Sequence, residues 1–194
     1  MNNTFGSGYL EIRMGPMRSG KSSYVALKIA KLADEGFKCL FINHALDERD
    51  CSMNVNTDGS FSRHGKTSFK LSKDIQHMKT DKLLNIDVSE YQVIGIDECQ
   101  FFGEEIIDTV KRWVNEKHKI VFCSGLDGDI HKKTFGYLLQ LIPEADNVVK
   151  QSADCLQCQH ELRDKNLNHF YVLNLKAPFS ALISNPKKHC LAFS

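Results

Sequence analysis

Eight residues of this chain carry its densest chemistry. Gly15-Pro16-Met17-Arg18-Ser19-Gly20-Lys21-Ser22 satisfies the spacing G-x-x-x-x-G-K-[ST] in full. Glycines let a backbone turn tightly, so that successive N–H groups converge on one anion. A helix opening at Lys21 adds partial positive charge at the same place. In such a loop the lysine reaches the terminal phosphates of a nucleotide and the serine hydroxyl takes a magnesium ion. The four fixed positions match by chance in about one chain in a hundred of this length. The flanks decide the matter: Tyr9–Met14 reads as a strand leading in, and Lys21–Glu35 as a helix leading out.

A phosphate loop needs a carboxylate for its metal. Val93-Ile94-Gly95-Ile96-Asp97 is an apolar strand ending in Asp, the pattern that holds magnesium directly or through water. Glu98 follows at once. Adjacent side chains at a strand end diverge, so Asp97 can serve the metal while Glu98 serves an acceptor. A carboxylate there can orient a hydroxyl and take its proton during phosphoryl transfer. A water-activating glutamate of an ATPase would have the same pattern. An acidic cap on the next helix is the bland alternative.

These residues need a scaffold, and the first 150 residues supply one. Strands are expected at Tyr9–Met14, Lys38–Asn43, Tyr91–Asp97, Ile120–Gly125 and Asn147–Ser152. Helices are expected at Lys21–Glu35, Ser72–Leu84, Glu104–Lys117 and Phe135–Leu141. Alternation of this kind predicts an α/β domain built on a parallel sheet. His44 to Thr67 reads as one long polar loop, functional or a disordered insert. The chain's 194 residues suit one such domain, residues 1–153, followed by a small second one over 154–194.

Composition removes several classes of partner. There are 25 basic and 24 acidic side chains, so charge gives no reason to expect nucleic acid or an anionic membrane. No apolar run is long enough to span a bilayer. Residues 1–8 lack the basic and apolar regions of a signal peptide and read as a short lead-in. Of seven cysteines, Cys39, Cys51, Cys99 and Cys123 are scattered singly, as expected for reduced thiols in a cytoplasmic compartment.

Together the motifs resemble one family, the type II (cytosolic-type) thymidine kinases. Gly15–Ser23 is similar to its phosphate loop, and Asp97-Glu98-Cys99-Gln100-Phe101-Phe102 to its Asp-Glu-x-Gln-Phe-Phe segment. Leu126-Asp127-Gly128 through Phe135-Gly136 is similar to its Leu-Asp-Gly…Phe-Gly segment. Asp47-Glu48-Arg49 and Ser62-Arg63-His64-Gly65 fall in the family's order between them. The resemblance covers roughly residues 8 to 158. It implies a RecA-like P-loop sheet, a C-terminal zinc and lasso unit, and a homotetramer. It also implies transfer of the γ-phosphate of ATP to the 5′-hydroxyl of thymidine or deoxyuridine. Glu98 would then be the general base, and Lys21, Ser22 and Asp97 the phosphate and magnesium site. Asp47 and Arg49 would lie near the nucleotide. Gln100 is grouped with them, a local backbone hydrogen bond being its alternative. Phe101, Leu126, Ile130 and Phe135 would wall the nucleoside pocket or else pack as ordinary core.

The tail departs from the pattern. Cys155-Leu156-Gln157-Cys158 has the spacing of half a zinc site. The family completes it with a second pair, to which Cys190 corresponds here. Phe193 stands at the fourth position, which leaves His189, His169 or His160, a water, or no zinc at all. The lasso stretch Phe179–His189 lacks the family's Gly-Gly and tyrosine. Arg18 and Ile130 stand where aromatic residues are usual. A kinase of another nucleoside, a hydrolytic switch and an idle nucleotide-binding module therefore stay open beside thymidine kinase.

Overall fold

The computed structural model describes residues 7–46, 54–55, 60–63, 67–70, 75–155, 176–181 and 191–193. The chain starts with strand β1 (Tyr9–Met14), the phosphate loop and helix α1 (Lys21–Asp34). Next comes β2 (Cys39–His44), then the short β3 (Asn54–Val55), β4 (Ser60–Arg63) and β5 (Thr67–Lys70). β6 (Ile75–Thr80), β7 (Val93–Asp97), α2 (Glu105–Lys111), β8 (Ile120–Gly125) and β9 (Asn147–Lys150) complete the main body. Six of these strands form one sheet in the order β6-β2-β7-β8-β1-β9, with every neighbouring pair parallel.

Side-chain parity explains the layers. Along β2, β7 and β8 alternate residues face opposite sides, and nearly all are buried. Phe41, Val93 and Phe122 pack against Val25, Ala26, Ile29 and Ala33 of α1. Leu40, Ile42, Ile94, Ile96 and Val121 face the other way, against Ile106, Val110 and Trp113. Strands covered on both faces read as continuous apolar runs, which is why the parallel sheet was predictable. At Gly95 the sheet and α1 approach so closely that a Cβ would stand 2.0 Å from Ile29 Cδ1.

Three expectations need correction. The helix expected over Ser72–Leu84 does not form in the described part of that stretch, 75–84: Ile75–Thr80 pairs with β2 as the sheet's edge strand. Gln76 and Lys79 are exposed there while Ile75, His77 and Met78 are half-buried, the mixed polarity of an edge that imitates a helical pattern. Phe135–Leu141 forms no α-helix either. A 3₁₀ turn runs over Leu138–Glu144, burying Leu138 and Leu141, three residues apart, on one side. The stretch expected as one loop, His44 to Thr67, contains β3 and β4, which with β5 form an antiparallel three-stranded sheet. The helix expected over Glu104–Lys117 does form, but widens to a π-turn at Arg112–Glu116.

Beyond β9, β10 (Ala153–Asp154) pairs antiparallel with β11 (Lys176–Ala177), and β12 (Phe179–Ala181) pairs parallel with β13 (Leu191–Phe193). No helix among the described residues is long and apolar enough to cross a membrane.

Candidate active site

The carboxyl ends of β1, β2, β7 and β8 share one edge of the sheet, where ligands of open parallel sheets bind. The phosphate loop leaves β1 there. Gly15 and Gly20 have φ of +143° and +86°, and Arg18 enters the left-handed region at +59° with its side chain exposed. Pro16 and Gly15 are buried, Met17 and Ser19 half-buried. Lys21 and Ser22, opening α1, are 8% and 7% exposed. Lys21 Nζ donates to the Pro16 carbonyl at 2.6 Å and to Ser19 Oγ at 3.3 Å. The ammonium is thus folded over its own loop, where an incoming phosphate can recruit it.

The loop is anchored from below. Arg13 lies 3.6 Å over the ring of Tyr24 and pairs with Glu11 at 2.7 Å. Burial opposes ionisation of Glu11. The hydrogen bond from Arg13, then those from Tyr24 and Tyr9, prevail and hold its carboxyl below the usual range. β1 is thereby tied to α1 on both sides of the loop.

Asp97 is 4% exposed, and its Oδ1 accepts from Ser124 Oγ at 2.6 Å. Glu98 sits in the left-handed region with φ +54° and ψ +42°, an unusual conformation for a non-glycine residue. That turn lets the two carboxylates leave the strand on separate courses. Gln100, 3% exposed, bridges Glu98 to the next strand end. Its Nε2 donates to Glu98 Oε2 at 2.5 Å, and its Oε1 accepts from the Leu126 N–H at 2.9 Å. Burial first, and then the neighbouring Cys123, push the Cys99 thiol well up, so it stays neutral between these acids.

The expected nucleoside wall comes together in part. Phe101 meets Phe135 edge-on at 5.8 Å, and Leu126 is joined to the same corner through Gln100. His44, at the end of β2, adds a face the sequence did not single out, 5.7 Å from Phe101 and 4.5 Å from Phe102. Ile130 lies apart and is 41% exposed, in a turn where Asp129 Oδ1 accepts from the His131 and Lys133 N–H groups. Asp47 and Arg49 lie outside the described residues, as do Cys158 and Cys190. Cys155 is fully buried and forms no disulfide among the described residues, which contain no cluster able to hold a metal ion.

Two further positions were missed, along with the two-sided grip of Gln100. Ser124 interrupts the apolar run of β8 just before the sheet's edge, a polar residue that a reading of strand ends could have caught. Gln100 was noticed, but its two-sided grip was not. Ser180, 6% exposed on β12, accepts at Oγ from the Met17 N–H of the phosphate loop at 2.8 Å. Next to it the Phe179 ring lies 4.1 Å from Lys132 Nζ. The C-terminal segment therefore rests directly on the loop, a contact with no local signature.

Known proteins share this chain's sequence over most of its length. The family described as thymidine kinase matches residues 8–168. Thymidine kinase of Amsacta moorei entomopoxvirus is 34% identical over 153 residues, which is 77% of this chain and 79% of that protein. Thymidine kinase of vaccinia virus strain Tian Tan is 32% identical over 156 residues, 79% of this chain and 80% of its own. The cytosolic thymidine kinase of Bos taurus is 33% identical over 159 residues, 79% of this chain but 59% of that longer protein. A matched phosphate loop, a strand ending in Asp97-Glu98 and this coverage lead to one conclusion: the chain belongs to the thymidine kinase family.

Proposed function

We propose that the chain transfers the γ-phosphate of ATP to the 5′-hydroxyl of thymidine, and of deoxyuridine as well. The observation that carries this is Glu98. Its carboxylate is held by Gln100 in a left-handed turn beside Asp97, at the sheet edge that also bears the phosphate loop. A group kept in a costly conformation and gripped by a buried amide fits the proton acceptor for a hydroxyl.

The loop amides and Lys21 would bind and orient the phosphates, with Arg18, Asp47 and Arg49 at the nucleotide's margin. Magnesium, when bound, neutralises phosphate charge. Ser22 and Asp97 fit it, because hard oxygen donors suit that ion and both are buried at the carboxyl edge. Phe101, Phe135, Leu126 and His44 would flank the nucleoside, and Ile130 would meet it only at the rim. A small second unit over residues 154–194 would carry a structural zinc. Cys155, a buried thiol, fits a thiolate ligand, and the sequence spacing would make Cys158 and Cys190 its companions. A homotetrameric assembly and a cytosolic location are part of the same reading; the scattered thiols and the name of the Bos taurus relative support the latter.

A panel of nucleosides with labelled ATP tests this on the purified full chain, with zinc content measured on the same sample. Thymidine and deoxyuridine should be the acceptors. Glu98→Gln should lower turnover by at least about a hundred-fold with ATP affinity unchanged. Equal losses of turnover and ATP affinity would show that Glu98 only supports the fold. ATP hydrolysis indifferent to every nucleoside would sink the kinase reading.

A further inference from the structure

Asn43 is the last residue but one in the buried run of β2. It is 9% exposed, and its Nδ2 has no hydrogen-bond partner among the described residues. A buried N–H without an acceptor is a standing cost to a fold, and such groups are few in native proteins. Its position shows what the group faces. Phe41, two residues earlier on the strand, packs against α1, so Asn43 points to the same face. On β7, a Cβ at Gly95 would meet Ile29 and Val25 of α1, so Asp97, two residues on, points that way too. Asn43 and Asp97 are paired in register. A row of polar groups, Asn43, Asp97 and Ser124, thus crosses three adjacent strands at the carboxyl edge.

The two neighbours of Asp97 are not equivalent. Ser124 spends its proton on the Asp97 carboxylate. Asn43 holds an amide N–H₂ that meets no acceptor among the described residues. That nitrogen has no lone pair to offer a metal. It needs an acceptor, and an anionic one suits a donor buried on this edge. The phosphate loop at the same edge makes a phosphoryl group the anion this donor is placed to meet.

We propose that Asn43 is a phosphoryl donor: Nδ2 donates a hydrogen bond to a non-bridging oxygen of the terminal phosphate of the bound nucleoside triphosphate. Charge spreads over those oxygens as the group transfers, so a fixed donor there strengthens toward the transition state. The proposal rests on the kinase reading for the transfer step. For the binding step it rests only on the phosphate loop.

The test compares ATP with ADP on the full chain, because only ATP carries the terminal phosphate. Asn43→Leu removes the donor and keeps the volume. It should bind ADP as the wild type does, lose about ten-fold in ATP affinity, and lose about a hundred-fold in kcat with thymidine KM unchanged. Its melting temperature should be equal or higher, since an unsatisfied buried group has gone. Should that variant fold poorly, Asn43→Asp preserves the shape and replaces the donor with a carboxylate; its ATP-to-ADP preference should fall further. An unchanged ATP-to-ADP preference with unchanged turnover overturns the proposal. So does an equal loss for both nucleotides, which would mark Asn43 as support for the fold. If the wild type transfers nothing to thymidine, the kinase reading falls, while the ATP–ADP comparison still decides the role of Asn43 in binding.

Discussion

Replacing Gln100 with Glu would alter one atom and reverse the logic of the site. In the wild type, Gln100 Nε2 donates to Glu98 Oε2 at 2.5 Å while Oε1 accepts from the Leu126 N–H at 2.9 Å. Gln100→Glu keeps the second bond and the shape. It turns the first into a carboxylate facing a carboxylate. Two unit charges about 4 Å apart repel by roughly 4 kcal/mol at an effective dielectric of 20. Since one pKa unit corresponds to about 1.4 kcal/mol, the pair would share a proton over a range raised by up to about three units. Glu98 is half-buried, so solvent reduces this, and a shift of one to two units is the working expectation. On the proposed reading, Glu98 accepts the hydroxyl proton only when ionised. The acid limb of kcat/KM should therefore move up by one to two pH units, with activity recovered in alkaline buffer. Gln100→Leu would be the control: it leaves Leu126 N–H without its acceptor and destabilises by about 1–3 kcal/mol, but adds no charge. A Gln100→Glu enzyme whose pH profile overlays the wild type's, despite normal folding, would refute the claim that Gln100 positions the proton acceptor.

Other perturbations test the frame around it. Lys21→Ala should abolish detectable nucleotide binding by calorimetry, because the loop loses the ammonium folded over the Pro16 carbonyl; unchanged affinity would remove the phosphate-loop reading. Gly136→Ala places a Cβ 2.3 Å from the Gln100 carbonyl oxygen at a φ of +66°, so it should lower stability by about 1–3 kcal/mol and turnover with it. Glu11→Gln should weaken the tie between β1 and α1 by about 2 kcal/mol. The sign with pH follows from the depressed carboxyl: the stability Glu11 contributes is present above the ordinary carboxylate range and lost as pH falls through its folded-state value. Acid unfolding curves of the wild type and Glu11→Gln should therefore converge at low pH.

What could be read in the sequence, and what could not, divides along the range of the interactions. The phosphate loop, α1 and the central strands were legible because each is specified by neighbours a few positions apart. Glycine spacing turns the loop, and continuous apolar runs mark strands covered on both faces. Ile75–Thr80 was misread for the same reason: an edge strand with Gln76 and Lys79 exposed lacks the continuous run of its partners, and a local reading had nothing else to use. The contacts that make the site work lie on a different scale. Ser124 reaches Asp97 across 27 positions, Gln100 reaches the Leu126 N–H across 26, and Ser180 reaches the Met17 N–H across 163. Each joins a side chain to a group whose partner depends on the order of the elements in space, which no neighbour in the sequence specifies. Once β7 lies between β2 and β8, parity alone aligns Asn43, Asp97 and Ser124 at one edge. The motif therefore identifies the chemistry, while the sheet order decides which further residues take part. The altered tail is bound by the same rule. Losing the family's Gly-Gly removes a local signature, yet Ser180 still meets the phosphate loop, because β12 is held there by contacts rather than by motif.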